Sequence, residues 1–412
     1  MALDLTAFDA ALKSHYTDEM VQNLVYKDNP FLAMVPKYEE FGGKNLPIPL
    51  IYGNPQGRSK TFSNAQTRGA ATSSLIQDFV LTRVKDYSIA TIDNETLEAS
   101  KGNANAFMEA ATTEIDGAIN SLTRSLAVGL YRDSSAAIGQ VLAEPSETST
   151  TVITLKQGTD VNNFEVNMIV NIWSAKSGGS QRSSNGSATS LTVSAVDRSA
   201  KTITLAHTYT SSGTIAADDY LFVEGDRGLG ISGLDAWLPV AAPGATAFFG
   251  VDRSVDTVRL GGCRYDGSSS PIEEALVQGA SEVADQGNGK IDHYFISYKQ
   301  FAELEKALGS KVQYIDLTMN AEVGFRGIVI NGPRGPIKVV PDQNCPSDRA
   351  YGLQLNTWKL YSLGKAVRVI DTDGLQMLRQ ASADGVEVRY GFYGNLGCRG
   401  PGLNIVVELP EV

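Results

Sequence analysis

The chain has 412 residues, 42% of them apolar and 20% charged, which is the make-up of a globular protein with room for two or three cored domains. Its formal net charge is −11, whereas a protein that wraps nucleic acid by neutralising phosphates needs a basic surplus, so direct phosphate binding is disfavoured. No apolar run approaches the ~20 residues of a membrane span. The opening Met-Ala-Leu-Asp-Leu-Thr lacks the basic and apolar regions of a secretory signal. Cys263, Cys345 and Cys398 are too few for a disulfide framework, which points to a reducing cytoplasm.

Along the chain, residues 6–25 mix apolar and charged positions (Phe8, Leu12, His15, Met20, Leu24) as a modest amphipathic helix does. It gives way at Asn29-Pro30, because proline pushes the residue before it out of the helical region. Pro36, Gly42-Gly43, Pro47, Pro49, Gly53 and Pro55 then leave Leu46, Ile48, Leu50 and Ile51 room only for an edge-type strand. A polar stretch from Arg58 to Ser74 follows, and Leu75 to Ile92 reads as one returning strand. Residues 44–92 thus form a long two-stranded arm with a mobile polar tip. An isolated hairpin is marginal in water, so the arm requires either a partner surface or its own domain beneath it.

From Ala104 to Arg132 the spacing becomes helical: Phe107, Ala111, Ile115, Ala118, Leu122, Leu126 and Gly129 share a face that Ile119 and Leu130 widen. Such a helix is ~40 Å long. Texture changes near residue 137. Up to about Glu224 the chain is rich in Ser, Thr, Gly, Asn and Val, with β-branched runs at 151–155, 168–173, 190–196, 201–205 and 220–224. Five or six short strands in this length predict a small closed antiparallel barrel or sandwich. Beyond Gly250 the pattern is α+β. Ser270-Pro271-Ile272-Glu273 reads as a capping box with proline in the first turn, Tyr294–Ser297 as a strand, Tyr298–Leu308 as a helix stopped at Gly309, and Leu403–Leu409 as a terminal strand paired with a segment well upstream.

A search for chemistry yields little. Gly228, Gly230 and Gly233 match G-x-G-x-x-G, but Leu234–Leu238 is cut by Pro239, leaving no room for the helix that faces a pyrophosphate. His15, His207 and His293 have no metal-ligand spacing, and there is no C-x-x-C, so no metal or cofactor is expected. Cys263 or Cys398 with His293 is a conceivable nucleophile and base, set against the plainer reading of small buried thiols. The adjacent acids Glu39-Glu40, Asp218-Asp219 and Glu273-Glu274 point apart on strands or sit in a first helical turn, which carboxylates favour anyway. No catalytic constellation stands out, and the chain reads as a non-enzyme.

The order of elements resembles a tailed-bacteriophage major capsid protein of the Hong Kong 97 type. The residues that carry this are Asn29-Pro-Phe-Leu leading into the Gly42-Gly43 arm, the long helix, and Gly332-Pro-Arg-Gly-Pro-Ile-Lys-Val-Val-Pro followed by Ala350-Tyr-Gly-Leu. The resemblance implies an α+β capsid fold with an N-terminal arm at 1–43, an extended loop at 44–92, and a spine helix and peripheral domain at 93–136. It implies an inserted β domain at 137–235, an axial domain at 236–365 and a return to the peripheral domain at 366–412. It also implies a homo-oligomer of hexamers and pentamers in a virion shell, assembled in the host cytoplasm with a separate scaffolding protein and a portal. The shell would enclose double-stranded DNA without sequence-specific binding and without a membrane. Intersubunit contacts are then expected from Pro47, Ile48, Leu50, Arg58, Phe62 and Arg68, with the arginines meeting acidic neighbours. Lys44 and Lys60 lie in the loop from which some family members crosslink, without a matching partner motif. The alternatives are an encapsulin-like compartment shell and, from a different class, a carbohydrate-binding or hydrolytic protein that uses the β insert.

Overall fold

The computed structural model describes residues 25–26, 28–93, 104–146, 150–309, 314–318, 324–371, 377–380 and 383–410. The helix expected over 6–25 lies outside the described residues except for Val25. The protein is α+β, with a two-stranded hairpin, two six-stranded sheets and one seven-stranded sheet among the described residues.

The first six-stranded sheet is built on the 14-residue strand Gly385–Cys398. On one side this strand pairs over ten residues with Val84–Asp93. On the other it takes Trp358–Ser362, Arg368–Val369 and Met377–Arg379 in turn. The long helix, Ala104–Gly129, has 26 residues and spans ~39 Å. It ends three residues before the expected Arg132, where Leu130–Arg132 turn toward the insert. Its stripe of Ile115, Ile119, Leu122 and Leu126 is buried with Ala90 and Ile92 in the largest core, and Ser125 Oγ donates to Asp86 Oδ2 at 2.6 Å across the same seam. Strand alternation therefore assigns Asp86, Ala90 and Ile92 to the helix side and Lys85, Tyr87, Ile89 and Thr91 to the other.

The seven-stranded sheet runs, in order, Cys263–Asp266, Ile405–Glu408, Arg349–Leu353, His293–Ile296, Gly335–Pro341, Gly324–Gly332 and Tyr314–Thr318. The terminal strand does pair far upstream, parallel to Cys263–Asp266, and lies inside this sheet between that edge strand and Arg349–Leu353. Conversely Trp358–Ser362, expected within 236–365, belongs to the sheet of Gly385–Cys398. Two helices pack on the seven-stranded sheet, Ile272–Glu282 and Tyr298–Leu308, and share a second core with Leu276, Tyr294, Ile296, Ile405 and Val407. Each such side chain contributes ~1.5–3 kcal/mol on burial. The capping box does not form. Pro271, at φ −55 and ψ 144, is itself the cap, Ser270 offers no side-chain bond, and Glu273 and Glu274 serve the helix dipole instead. Tyr298–Leu308 stops at Gly309 as expected, at φ 52, and Ser297, expected in the preceding strand, is instead its N-cap, accepting from Gln300 N.

Residues 28–41 are a strap across both sheets. Asn29-Pro30 is a start as well as a stop, because the short helix Pro30–Met34 begins there with proline in its first turn. Phe31 is fully buried between Tyr131 and Phe295, at ring distances of 5.4 and 5.1 Å. Its N–H donates to Asp342 Oδ2 at 3.1 Å, as does Tyr131 Oη at 2.9 Å. Lys37–Tyr38 then adds in parallel to Leu360–Tyr361, which delivers the chain to the foot of the arm.

The insert consists of Gly139–Gln140, Thr151–Thr154, Ile169–Trp173, Leu191–Asp197, Thr202–Leu205 and Tyr220–Val223. Its first and last strands in sheet order also meet: Leu142 N donates to Thr154 O at 2.9 Å and Lys156 N to Gln140 O at 2.8 Å. A core of its own, including Ile153, Phe164, Val170, Leu191, Ile203 and Leu221, fills it. Ion pairs bolt it to the body: Arg132 to Asp160, and Lys176 to Asp133 at 2.6 Å. The glycines of G-x-G-x-x-G belong to this seam. A Cβ on Gly233 would lie 2.3 Å from Gly129 O, and the helix after it, Leu234–Trp237, is four residues long.

Candidate assembly surface

The arm is a hairpin of Asn45–Gly53 with Leu75–Thr82, in register from Asn45↔Thr82 to Gly53↔Leu75. The returning strand is not continuous to residue 92. It breaks at Arg83, whose guanidinium donates to Phe41 O at 3.2 Å, and Val84–Asp93 leaves the hairpin for the six-stranded sheet. The polar tip is not a bare loop either: Phe62–Ala71 is a helix of ten residues. Ala65, Gln66, Arg68, Ala70 and Ala71 are good helix formers, a preference that the polar composition conceals.

Alternation sorts the hairpin into two faces. The inner face holds Ile48, 2% exposed, opposite Phe79, fully buried, together with Leu81. Phe79 stacks edge-on against Trp237 at 5.0 Å, and Val80 N donates to Phe249 O at 2.9 Å, so the arm's foot is held by the 237–249 segment. Phe249 (φ 48) and Gly250 (φ 86) form the two-residue turn between Phe248 and Val251 that presents this carbonyl. The outer face carries Pro47 opposite Val80, Pro49 opposite Asp78, and Ile51 opposite Ile76. Ile51 is 62% and Ile76 55% exposed.

Of the six contact residues expected from sequence, Pro47 lies on the outer face, while Arg58, Phe62 and Arg68 lie at the exposed tip. Arg68 Nη1 donates to Arg58 O at 3.3 Å. Ile48 and Leu50 lie on the inner face, Ile48 within the protein's own core and the half-buried Leu50 packed against it. Ile51, Ile76 and Val80, which the sequence reading did not single out, lie exposed on the outer face. Their signal was the alternation Leu46-Pro-Ile-Pro-Leu-Ile, which assigns odd and even positions to opposite sides. No residue of the tip helix is buried, and Phe62 is 84% exposed. From Phe41 to Gln77 the only charged residues are Lys44, Arg58, Lys60 and Arg68, a basic arm on an acidic chain.

The residues weighed for catalysis are placed apart. Cys263, Cys345 and Cys398 are buried and free. Burial pushes the Cys263 thiol up to about 11 and that of Cys398 up to about 12. Cys398 Sγ faces Thr357 Oγ1 at 3.9 Å, Cys263 Sγ faces Gly402 O at 3.5 Å, and His293 Nδ1 lies 3.1 Å from Asp292 Oδ1. Asp219 is tied to Arg182 at 3.0 Å. Among the described residues no group of three or more His, Cys, Asp or Glu could hold a metal ion, and no helix is long and apolar enough to cross a membrane.

No family model matches the sequence, and no curated protein matches it. The chain is similar to solved shell structures. A capsid chain of cyanophage A-1(L) is 14% identical at a TM-score of 0.45, with 92% of each chain covered. The SrpI encapsulin of Synechococcus elongatus is 8% identical at a TM-score of 0.45, covering 97% of this chain and 94% of that one. A chain of Mycobacterium phage Bobi is 10% identical at 0.43, covering 94% and 91%.

Proposed function

We propose that this chain is the subunit of an icosahedral shell, a major capsid protein of the Hong Kong 97 type that encloses viral double-stranded DNA and performs no catalysis. The carrying observation is the tip helix. A ten-residue helix of which nothing is buried is too short to be stable alone in water, and it sits at the end of an arm whose outer face is exposed. Both gain a support if they lie on another copy of the chain. In this reading the hairpin and tip are the extended loop, Ala104–Gly129 is the spine helix, the seven-stranded sheet is the axial domain, and residues 139–223 are an inserted barrel. Many such contacts, each weak, sum to a strong shell.

The insert offers poor support for a carbohydrate site. The Arg227 guanidinium covers the Trp173 ring at 3.9 Å, the Lys176 ammonium lies over the half-buried Tyr220 ring at 5.6 Å, and Phe164, Tyr209 and Phe222 are buried, so no described aromatic of the insert presents a bare, fully exposed ring for a sugar to stack on.

Size-exclusion chromatography followed by negative-stain microscopy tests the proposal. Rings, or particles hundreds of ångströms across, are expected, and a strictly monomeric chain at high concentration with scaffold supplied would sink it. Deleting 58–70 should leave a folded subunit that no longer assembles. Unchanged assembly would remove the arm from the account.

A further inference from the structure

The segment 236–239, where the chain leaves the short helix Leu234–Trp237, is held by two arginines. Arg253, 9% exposed, donates from Nη1 to Ala236 O at 2.8 Å and to Trp237 O at 3.3 Å. Its guanidinium lies 4.1 Å from the centre of the Phe248 ring. Arg264 donates from Nε to Pro239 O at 2.9 Å and from Nη2 to Thr257 O and Gly261 O at 3.1 and 3.0 Å. Carbonyls at the end of a helix favour cations, which accounts for these bonds.

It does not account for the charge. Neither arginine pairs with a carboxylate among the described residues, although the chain as a whole is acidic. Asp252 is engaged by Ser254, whose N–H and Oγ donate to it at 2.9 and 2.6 Å. Asp256 accepts from Arg259 N at 2.8 Å and faces Arg259 Nε at 3.7 Å. The charge that acts on Arg253 is another cation: burial first, then Arg264, bring its guanidinium down to about 10. A buried charge with no counter-charge is costly. Arg253 also has an unused edge. Its Nε is buried without a partner, and its Nη2 makes no bond to another described residue. These two atoms form the side of a guanidinium that grips two oxygens of one oxyanion in parallel.

We propose that Arg253 and Arg264 form a binding site for a small phosphate-class oxyanion, two of whose oxygens take the Nε–Nη2 fork of Arg253 while Arg264 supplies the second positive charge. Two guanidinium charges match a phosphate dianion better than the single charge of a carboxylate. Both come from one chain, so the site exists in the unassembled subunit and does not depend on the shell reading. Depth separates it from nucleic-acid binding, because a side chain nine-tenths buried admits a free ion more readily than a phosphodiester with a sugar on either side. The site lies at the root of the arm, where Phe248 packs on Phe79 at 6.3 Å and on Trp237 at 5.0 Å. Its occupation therefore steadies the arm's foot.

The test is calorimetric titration of the unassembled chain with inorganic phosphate, at an ionic strength held constant with sodium chloride. One phosphate per chain should bind saturably at millimolar concentration or below. Arg253→Lys keeps the cation but loses the fork, and should weaken binding by about tenfold or more. Arg264→Gln should do the same by removing the second charge. Phosphate should raise the melting temperature of the parent and leave that of Arg253→Lys nearly unmoved. An equal rise in both would be the general stabilisation that an excluded salt gives any protein, and would overturn the site. So would the lack of saturable binding to the parent. Acetate binding as tightly as phosphate would assign the fork to a carboxylate of a neighbouring chain instead, and displacement of phosphate by a short oligonucleotide would assign it to a nucleic-acid backbone; either result overturns the proposal. If circular dichroism shows that Arg253→Lys does not fold, Arg264→Gln carries the comparison.

Discussion

Two phenylalanines of one arm behave in opposite ways. Phe62 is 84% exposed on the tip helix, whereas Phe79 is fully buried on the hairpin's inner face against Trp237 and Phe248. Truncating a buried phenylalanine removes its transfer energy and leaves a cavity, so Phe79→Ala should destabilise the subunit by ~3–5 kcal/mol. Phe62→Ser touches no packed neighbour and should stay within ~0.5 kcal/mol in urea unfolding. Assembly should report the reverse: Phe62→Ser should suppress particle formation while the subunit melts normally. If Phe62→Ser assembled like the parent, the tip would be an exposed end and nothing more. Sequence alone could not tell these residues apart, because what distinguishes them is strand register and the kink at Arg83, and Phe79 meets Trp237 from 158 positions away.

At the scale of elements, legibility followed locality. The long helix was readable from its spacing, and the strands of the insert from β-branched runs between turn residues, because both signals live within a few positions. The tip helix was not readable, since its small polar residues carry helix propensity without an apolar stripe. The strap was unreadable for another reason: Phe31 N bonds to a carboxylate 311 residues away. The mounting of the insert is equally non-local and yields a pH prediction. Burial alone would raise the Asp133 carboxyl, but the Lys176 charge and hydrogen bond take it below its usual value. A depressed carboxylate adds stability above the ordinary aspartate value of ~3.9 and loses it as pH falls through the folded value. Lys176→Met leaves that carboxyl buried without its cation. It should cost about 1 kcal/mol at pH 7, a figure discounted because Lys176 is partly exposed. The gap to the parent should shrink below about pH 4 as Asp133 protonates in both proteins. Urea midpoints at pH 7, 5 and 3 measure it, and a gap that stays constant to pH 3 would show that the pair does not hold the insert.

For the whole molecule, two electrostatic effects of different range act on assembly, and salt separates them. Each subunit carries a net −11, so copies repel across the solvent between them. In the proposed shell the arm acts with the opposite sign, since Arg58, Lys60 and Arg68 at its tip would meet an acidic neighbouring copy at contact distance. The screening length is ~10 Å at 0.1 M salt and ~3 Å at 1 M. Added salt should therefore remove the long-range repulsion first and leave contact pairs largely intact until much higher concentrations. The amount of assembled protein should pass through a maximum at a few tenths molar sodium chloride, by order of magnitude, and decline toward 1 M. Light scattering from 0.02 to 1 M at fixed protein concentration reads this directly. Assembly that rose steadily to 1 M would mean that apolar contacts suffice without the charges. A steady fall from the lowest salt would mean that the contacts outweigh the net charge everywhere. The arm deletion 58–70 would then be expected to abolish the salt response as well as the particles, since it removes Arg58, Lys60 and Arg68 together.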